Sequence, residues 1–527
     1  MRPSDRPPSS EAPIAPRFAI FYHPACSLAA RPIPDRRVRQ RIRAFREGSI
    51  EPQTEPPRND WPEDGILAVS AASLLVGSGV GVVSASFRLF LEKADHLRDA
   101  LVEWAHPYAI GGLALMVVVC AAAAWVAAWL VRRFSPYASG SGIPHVENVL
   151  NRRLPPAPAS LLLVKFFGGL LAIGSGLALG REGPSVQMGA TIGNLGGEAF
   201  GLNWRMRRVL LAAGAGAGLA AAFNAPVAGA IFVLEELVRQ FKLHIAIAAL
   251  GASATAIFVS QAILGTAPDF HVEELAFADP QTCPLYFVFG AIAGAAGVLY
   301  CRLLLGAMSV AEKIDSRAPG LTAILVGGLV GALAWFSPAL VGGGDQLTQE
   351  ALLGRQPLAA LCLMLLLRFG LATASYATTT PGGIFAPMLV LGAQLGLICG
   401  EIAKFSFSEL YVQPVGFAVV GMAAFFTAVV RAPLTGIVLV TEMISDATLL
   451  LPMLGASFCA MIAPTLLREA PIYDSLRDRA LPKRRVERRP ARDAASVNLG
   501  AGPARSPISR PTRGGRPDDG PGQSIGE

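Results

Sequence analysis

The sequence predicts an all-α polytopic membrane protein whose helices are broken and in part re-entrant. Three observations carry that prediction. Of the 527 residues, 52% are hydrophobic and 16% charged, with a mean hydropathy of +0.47; soluble domains average about 25% charged residues. Apolar runs long enough to cross roughly 30 Å of hydrocarbon recur along the chain. The 55 Gly and 40 Pro suit packed and interrupted helices better than a bundle of straight rods.

The apolar runs follow one another near 65–92, 107–131, 159–180, 208–234, 243–265, 284–309, 320–341, 357–376, 385–403 and 414–467. Flanking them are basic, Arg- and Pro-rich segments, 1–60 and 481–527, expected to be disordered and cytoplasmic. About eleven Arg precede residue 60 and about twelve Lys plus Arg follow residue 476. No folded recognition motif accompanies these charges, so a membrane-surface or topology role is expected over nucleic-acid binding. The patch FAIFYHPACSLAA at 18–30 is broken by His23 and Pro24 and lies too far in for an ordinary signal peptide. The tail is too short for a sizeable regulatory domain.

The seven cysteines, Cys26, Cys120, Cys283, Cys301, Cys362, Cys399 and Cys459, form no CxxC or Cys/His cluster. They read as free thiols acting as small hydrophobes, not as a disulfide framework or metal site. No nucleophile with a His partner, zinc pattern or phosphate-binding P-loop appears, which argues against an enzyme.

Three motifs punctuate the chain: GSGIP at 140–144, GREGP at 180–184 and GGIFAP at 382–387. Each lies at or near the start of an apolar run. Gly140, Gly142, Gly180, Gly183 and Gly383 let backbone amides approach a ligand, while Pro144, Pro184 and Pro387 suit a helix start. Unpaired N–H donors and partial positive charge make such starts attractive to anions.

The chain also repeats itself. NAPVAGAIFVLEE (224–236) matches RAPLTGIVLVTEM (431–443) at an offset of 207, and EGPSVQMGA (182–190) matches IFAPMLVLGA (384–393) at an offset of 203. Internal repeats with discontinuous helices at their interface are a common way to build transporters.

With KFFGG (165–169), AAFNAPVAGAIFVLEE (221–236), RAPLTG (431–436) and PIY (471–473) added in order, the sequence resembles the CLC family of chloride channels and proton/chloride antiporters, of the bacterial type without C-terminal CBS domains. The likeness spans roughly 65–480. It implies a CLC-type inverted-repeat helical fold over 61–480, with repeats of about 65–265 and 284–470 and a short C-terminal helix carrying Tyr473. It further implies a homodimer with a separate ion pathway in each subunit.

The resemblance also assigns roles. Ser141, Tyr473 and the amides of Ile384 and Phe385 would hold a central chloride, and serine rather than proline at 141 implies chloride over nitrate. Taken alone, Ser141 reads equally well as a helix N-cap, and Tyr473 better as an interfacial anchor. Glu182 would be the external gate and proton acceptor, its carboxylate competing with the anion. A salt bridge to Arg181 is the plain alternative, but neighbours on a helix do not face each other. Glu236 would pass protons from the cytoplasm, with Glu235 supporting the entrance; alone, the two acids read as a solvated helix end. Lys165 would shape the anion's field or pair with an acid. Where the family usually has Glu after GSGIP, this chain has His145, which reads plainly as an exposed loop histidine, with Glu147 two places on.

These readings converge on electrogenic chloride/proton antiport across the inner membrane, more than one chloride moving against each proton. The alternative is a passive, gated chloride channel of the same fold. No cofactor, metal, nucleic acid or obligate protein partner is expected; the transported ions are chloride and protons, the setting is the lipid bilayer, and both termini are expected in the cytoplasm.

Overall fold

The computed structural model describes residues 63–481 apart from 273–274 and 355. The expectations for 1–60, Cys26 and the tail beyond Leu481 lie outside the described residues. Seventeen α-helices follow in order: α1 Glu63–Ala105, α2 Ile110–Phe134, α3 Ile143–Leu150, α4 Ser160–Gly174, α5 Glu182–Ala199, α6 Trp204–Phe223, α7 Pro226–Phe232, α8 Leu243–Leu264, α9 Cys283–Arg317, α10 Leu321–Phe336, α11 Asp345–Leu352, α12 Leu358–Ala377, α13 Phe385–Ser406, α14 Pro414–Val430, α15 Pro433–Ile444, α16 Leu450–Leu466 and α17 Ile472–Ala480. No strand occurs among the described residues; only two isolated β-bridges do.

Helix lengths divide the fold. Seven helices, among them α1, α2, α9 and α12, are long and apolar enough to cross a membrane. By contrast α15, at 12 residues, spans only about 18 Å at 1.5 Å per residue, short of the hydrocarbon thickness. α7 reaches a similar length only because a π-helical turn, Val233–Leu237, continues it. The predicted interrupted helices are present.

The core lies around α5, α6, α13 and α14, where most residues are buried. Large apolar residues such as Leu75, Phe258, Leu325, Leu363 and Phe458 face outward on the long helices, as a lipid environment requires. The central helices pack through glycine. A Cβ at Gly189 would run into the Gly214 carbonyl, and one at Gly392 into the Gly421 carbonyl. These contacts join α5 to α6 and α13 to α14, and the paired glycines stand 203 and 207 residues apart, the offsets of the sequence repeat.

The repeat extends to backbone dihedrals. Asn224 (φ 51°) and Arg431 (φ 72°) each end a central helix in the left-handed region. Ala225 and Ala432 then extend the chain, and Pro226 and Pro433 open the next helix. Proline's missing N–H falls where a donor would be orphaned anyway. Both apolar runs, 208–234 and 414–467, therefore break at an xAP step.

Candidate functional site

The three glycine-rich motifs meet. Gly140 N–H donates to the Thr380 carbonyl (3.1 Å), and Gly382 N–H donates to the Gly140 carbonyl (3.1 Å). Gly180 and Gly383 exchange two more bonds, Gly180 N–H to Gly383 (2.9 Å) and Gly383 N–H to Gly180 (2.7 Å). The 378–384 segment thus bridges both other loops, and the starts of α3, α5 and α13 are fixed around one point.

These three starts share a feature common to most helices among the described residues. Their N-cap positions, Gly142, Arg181 and Ile384, supply no side-chain cap. By comparison, Asn203 caps α6 in the ordinary way through the Met206 amide (3.1 Å). Uncapped first-turn amides are donors available to an anion. Ser141 precedes the N-cap of α3 and is not a cap itself; its own amide donates to the Tyr376 hydroxyl (3.4 Å).

Two hydroxyls complete the setting. Ser141 Oγ and Tyr473 Oη are buried and reach no partner with hydrogen-bond geometry among the described residues, although they lie close enough to each other for a weak hydroxyl–hydroxyl interaction. A buried hydroxyl without a partner costs about 1–3 kcal/mol, so these donors fit a site for a ligand that accepts hydrogen bonds. The Tyr473 ring stacks on Phe385 (centroids 6.0 Å, planes 30° apart). Phe385 also packs against Phe426 (4.9 Å), Phe232 (5.8 Å) and Phe223 (6.1 Å). Rings from both repeats therefore wall the place where the α13 amides emerge.

Glu182 opens α5 and is 1% exposed. Its carboxylate nests against Gly180 and Gly383, where a Cβ on Gly180 would overlap it, and lies beside the Ala386 amide. It occupies the N-terminal end of α13, the position chemically suited to an anion. Arg181 does not pair with it. The guanidinium turns to Asp345 (3.0 Å) and Asp269 (3.7 Å) and donates to the Ala222 carbonyl (3.1 Å).

The acids at 235 and 236 diverge across the π-helical turn. Glu236 is 3% exposed and accepts from Arg239 (3.2 Å). Glu235 faces the other repeat, accepting from the amides of Leu434 (3.1 Å) and Thr435 (2.7 Å) and from the Thr435 hydroxyl (2.7 Å). Glu235 and Glu236 are thus not a solvated helix end.

Two expectations change. His145 is not an exposed loop residue: it lies inside α3, 7% exposed, its ring against Tyr137 at 4.7 Å. The loop reading failed because GSGIP opens a helix that is buried along its whole length. Lys165 pairs with no acid among the described residues; its ammonium donates to the carbonyls of Ala138 (3.0 Å) and Gly140 (2.6 Å), so it braces the loop before Ser141. Tyr376, Asp345, Asp474 and Arg477 escaped the sequence reading, since, apart from the i,i+3 pair of Asp474 with Arg477, their partners are far away along the chain. Six free cysteines and no metal-ligating cluster occur among the described residues.

A uncapped three-way junction with an embedded carboxylate is a transporter-like arrangement, and the comparisons agree. The voltage-gated chloride channel family profile matches residues 120–464. The H(+)/Cl(-) exchange transporter ClcA of Vibrio cholerae is 39% identical over 436 residues, covering 80% of this chain and 91% of that protein. The protein of the same name from Cronobacter sakazakii is 37% identical over 468 residues, covering 87% and 98%. Among solved structures, a slow cyanobacterial Cl-/H+ antiporter superposes with a TM-score of 0.75 at 30% identity, covering 79% of this chain and 98% of that one. A eukaryotic CLC transporter shares the fold with a TM-score of 0.65 at 24% identity, covering 78% and 74%. The chain belongs to the CLC family.

Proposed function

We propose that this protein is an electrogenic chloride/proton antiporter of the inner membrane, working as a homodimer with one ion pathway per subunit. The observation that carries the reading is the position of the Glu182 carboxylate. It sits among the uncapped helix starts, against Gly180 and Gly383 and beside the Ala386 amide. An ionised carboxylate and a chloride ion compete for such a place, because both are satisfied by the same N–H donors and helix-end potential.

In this reading the hydroxyls of Ser141 and Tyr473 and the amides of Ile384 and Phe385 hold chloride. Neutral dipoles bind an anion firmly enough to strip its water yet loosely enough to release it. When Glu182 takes a proton, its loss of charge removes its claim on the amides and the side chain yields to chloride. When chloride leaves, the carboxylate returns and its proton goes to the opposite side. Glu236 supplies protons from the cytoplasmic side, and Glu235 supports that entrance by holding the π-helical turn to α15. Transport requires no cofactor, only the two ions, and the protein is a transporter rather than an enzyme.

Exchange is favoured over the passive channel by Glu236, which supplies the inner proton group, and by relatives named for proton/chloride exchange. Purified protein in liposomes, given a chloride gradient and no proton gradient, is expected to drive protons in the direction opposite to chloride. Chloride flux without proton movement would overturn the exchange reading.

A further inference from the structure

The motifs stop at Glu236 and Tyr473, yet charged side chains outside every motif join the elements that carry them. Arg239 lies one turn beyond Glu236, with φ 54° in the left-handed region. Its guanidinium is shared between Glu236 (3.2 Å) and Asp474, which it meets through two nitrogens (2.8 and 3.3 Å). Asp474 also pairs with Arg477 (2.8 Å), and Arg477 reaches Glu147 on α3 (3.2 Å). The Asn148 side-chain amide adds a bond to the Arg477 carbonyl (3.1 Å).

The result is an alternating row: Glu236, Arg239, Asp474, Arg477, Glu147. It ties together the π-helical turn with the inner proton group, α17 with Tyr473, and α3, whose start presents Ser141. Asp478 also faces this row, 3.7 Å from Arg477 and 3.6 Å from Arg153. Glu147 and Glu236 are 1% and 3% exposed, and buried carboxylates need such partners. Asp474 is the hub, because it alone contacts both arginines. Without its charge the row falls into two separate pairs, Glu236 with Arg239 and Glu147 with Arg477, and α17 loses its tie to the π-helical turn.

We infer that Arg239, Asp474 and Arg477 are positioning residues that keep the Tyr473 side of the chloride pocket in register with Glu236, so that chloride passage remains tied to proton transfer. The inference rests on the exchange reading and names the part of the chain that enforces its stoichiometry. None of the three side chains touches the pocket itself, so chloride passage can continue when the row is cut.

The test is the chloride-to-proton ratio, read from reversal potentials of reconstituted full-length protein. Asp474→Asn keeps the side chain's shape and removes its charge; Asp474→Glu keeps the charge. Asn at 474 is expected to raise the chloride-to-proton ratio at least about twofold with chloride flux retained, because coupling within an ionic network is lost with one member, while Glu preserves the wild-type ratio. An unchanged ratio in Asp474→Asn, or an equal rise in both variants, overturns the inference. If Asp474→Asn does not fold, Arg477→Gln against Arg477→Lys gives the same comparison with the same expected split. A wild-type protein that moves chloride uncoupled would overturn the exchange reading and this inference together; a coupled wild type with unchanged variants overturns this inference alone.

Discussion

Glu235 and Glu442 each cap the short helix of the opposite repeat. Glu235 accepts from the Leu434 and Thr435 amides at the start of α15, and Glu442 accepts from the Val227 (3.1 Å) and Ala228 (2.8 Å) amides at the start of α7. The two residues stand 207 positions apart, the offset of the repeat itself. α7 and α15 begin at Pro226 and Pro433 with no cap of their own, so each borrows a carboxylate from the other. At the junction of the three glycine-rich motifs the N-cap residues of α3, α5 and α13 likewise supply no side-chain cap, and the carboxylate that approaches the first turn of α13 is that of Glu182.

Removing either carboxylate should therefore cost stability. Glu442→Ala is expected to destabilise the protein by about 1–2 kcal/mol, the range for a lost helix cap at a favourable helix end, read as a lower unfolding midpoint in detergent. Glu442→Gln, which keeps an acceptor but no charge, should fall between. Equal midpoints for all three proteins would show that the exchange of caps carries no energy.

In the proposed exchange cycle, Glu182→Ala removes the group that competes with chloride and carries the proton. Coupled proton movement should vanish while chloride passage persists, measured together in liposomes. Retained coupling would remove Glu182 from the gate.

Gly180→Ala probes the same site from the backbone. Its added methyl would occupy the space of the Glu182 carboxylate, and flexible side chains yield before backbone does. The variant should show chloride flux that is less dependent on external pH than wild type. Wild-type pH dependence would mean that the carboxylate does not need this nest.

Ser141→Pro replaces the hydroxyl donor and removes a backbone N–H at the mouth of α3. Selectivity should move from chloride towards nitrate in competitive flux measurements. An unchanged preference would show that Ser141 does not read the ion.

Much of this site was legible in the sequence because its chemistry is local. Two glycines and a proline within five or six residues mark a helix start, and three such starts could be read without coordinates. The 207-residue offset likewise showed the repeat that contains α7 and α15, since Ala-Pro steps and a glutamate recur in register, but the mutual capping of the two helices appears only in the structure. The placement of Arg181 was half legible: adjacency excludes Glu182 as its partner, but Asp345 and Asp269 lie 164 and 88 positions away. Lys165 and His145 escaped for a related reason. Lys165 is satisfied by carbonyls, which leave no trace in side-chain identity, and His145 is buried by the close approach of Tyr137 from a separate turn. The Glu147–Arg477 pair spans 330 positions and has no sequence signature.

The central claim is that neutral dipoles from α3, α13 and Tyr473 hold an anion in one pocket. Anomalous diffraction from crystals grown in bromide tests it most directly. A bromide peak within hydrogen-bonding distance of Ser141 Oγ, Tyr473 Oη and the amides of Ile384 and Phe385 is the predicted result. Bromide ordered elsewhere in the protein, with that pocket empty in wild type and in Glu182→Gln alike, would contradict it.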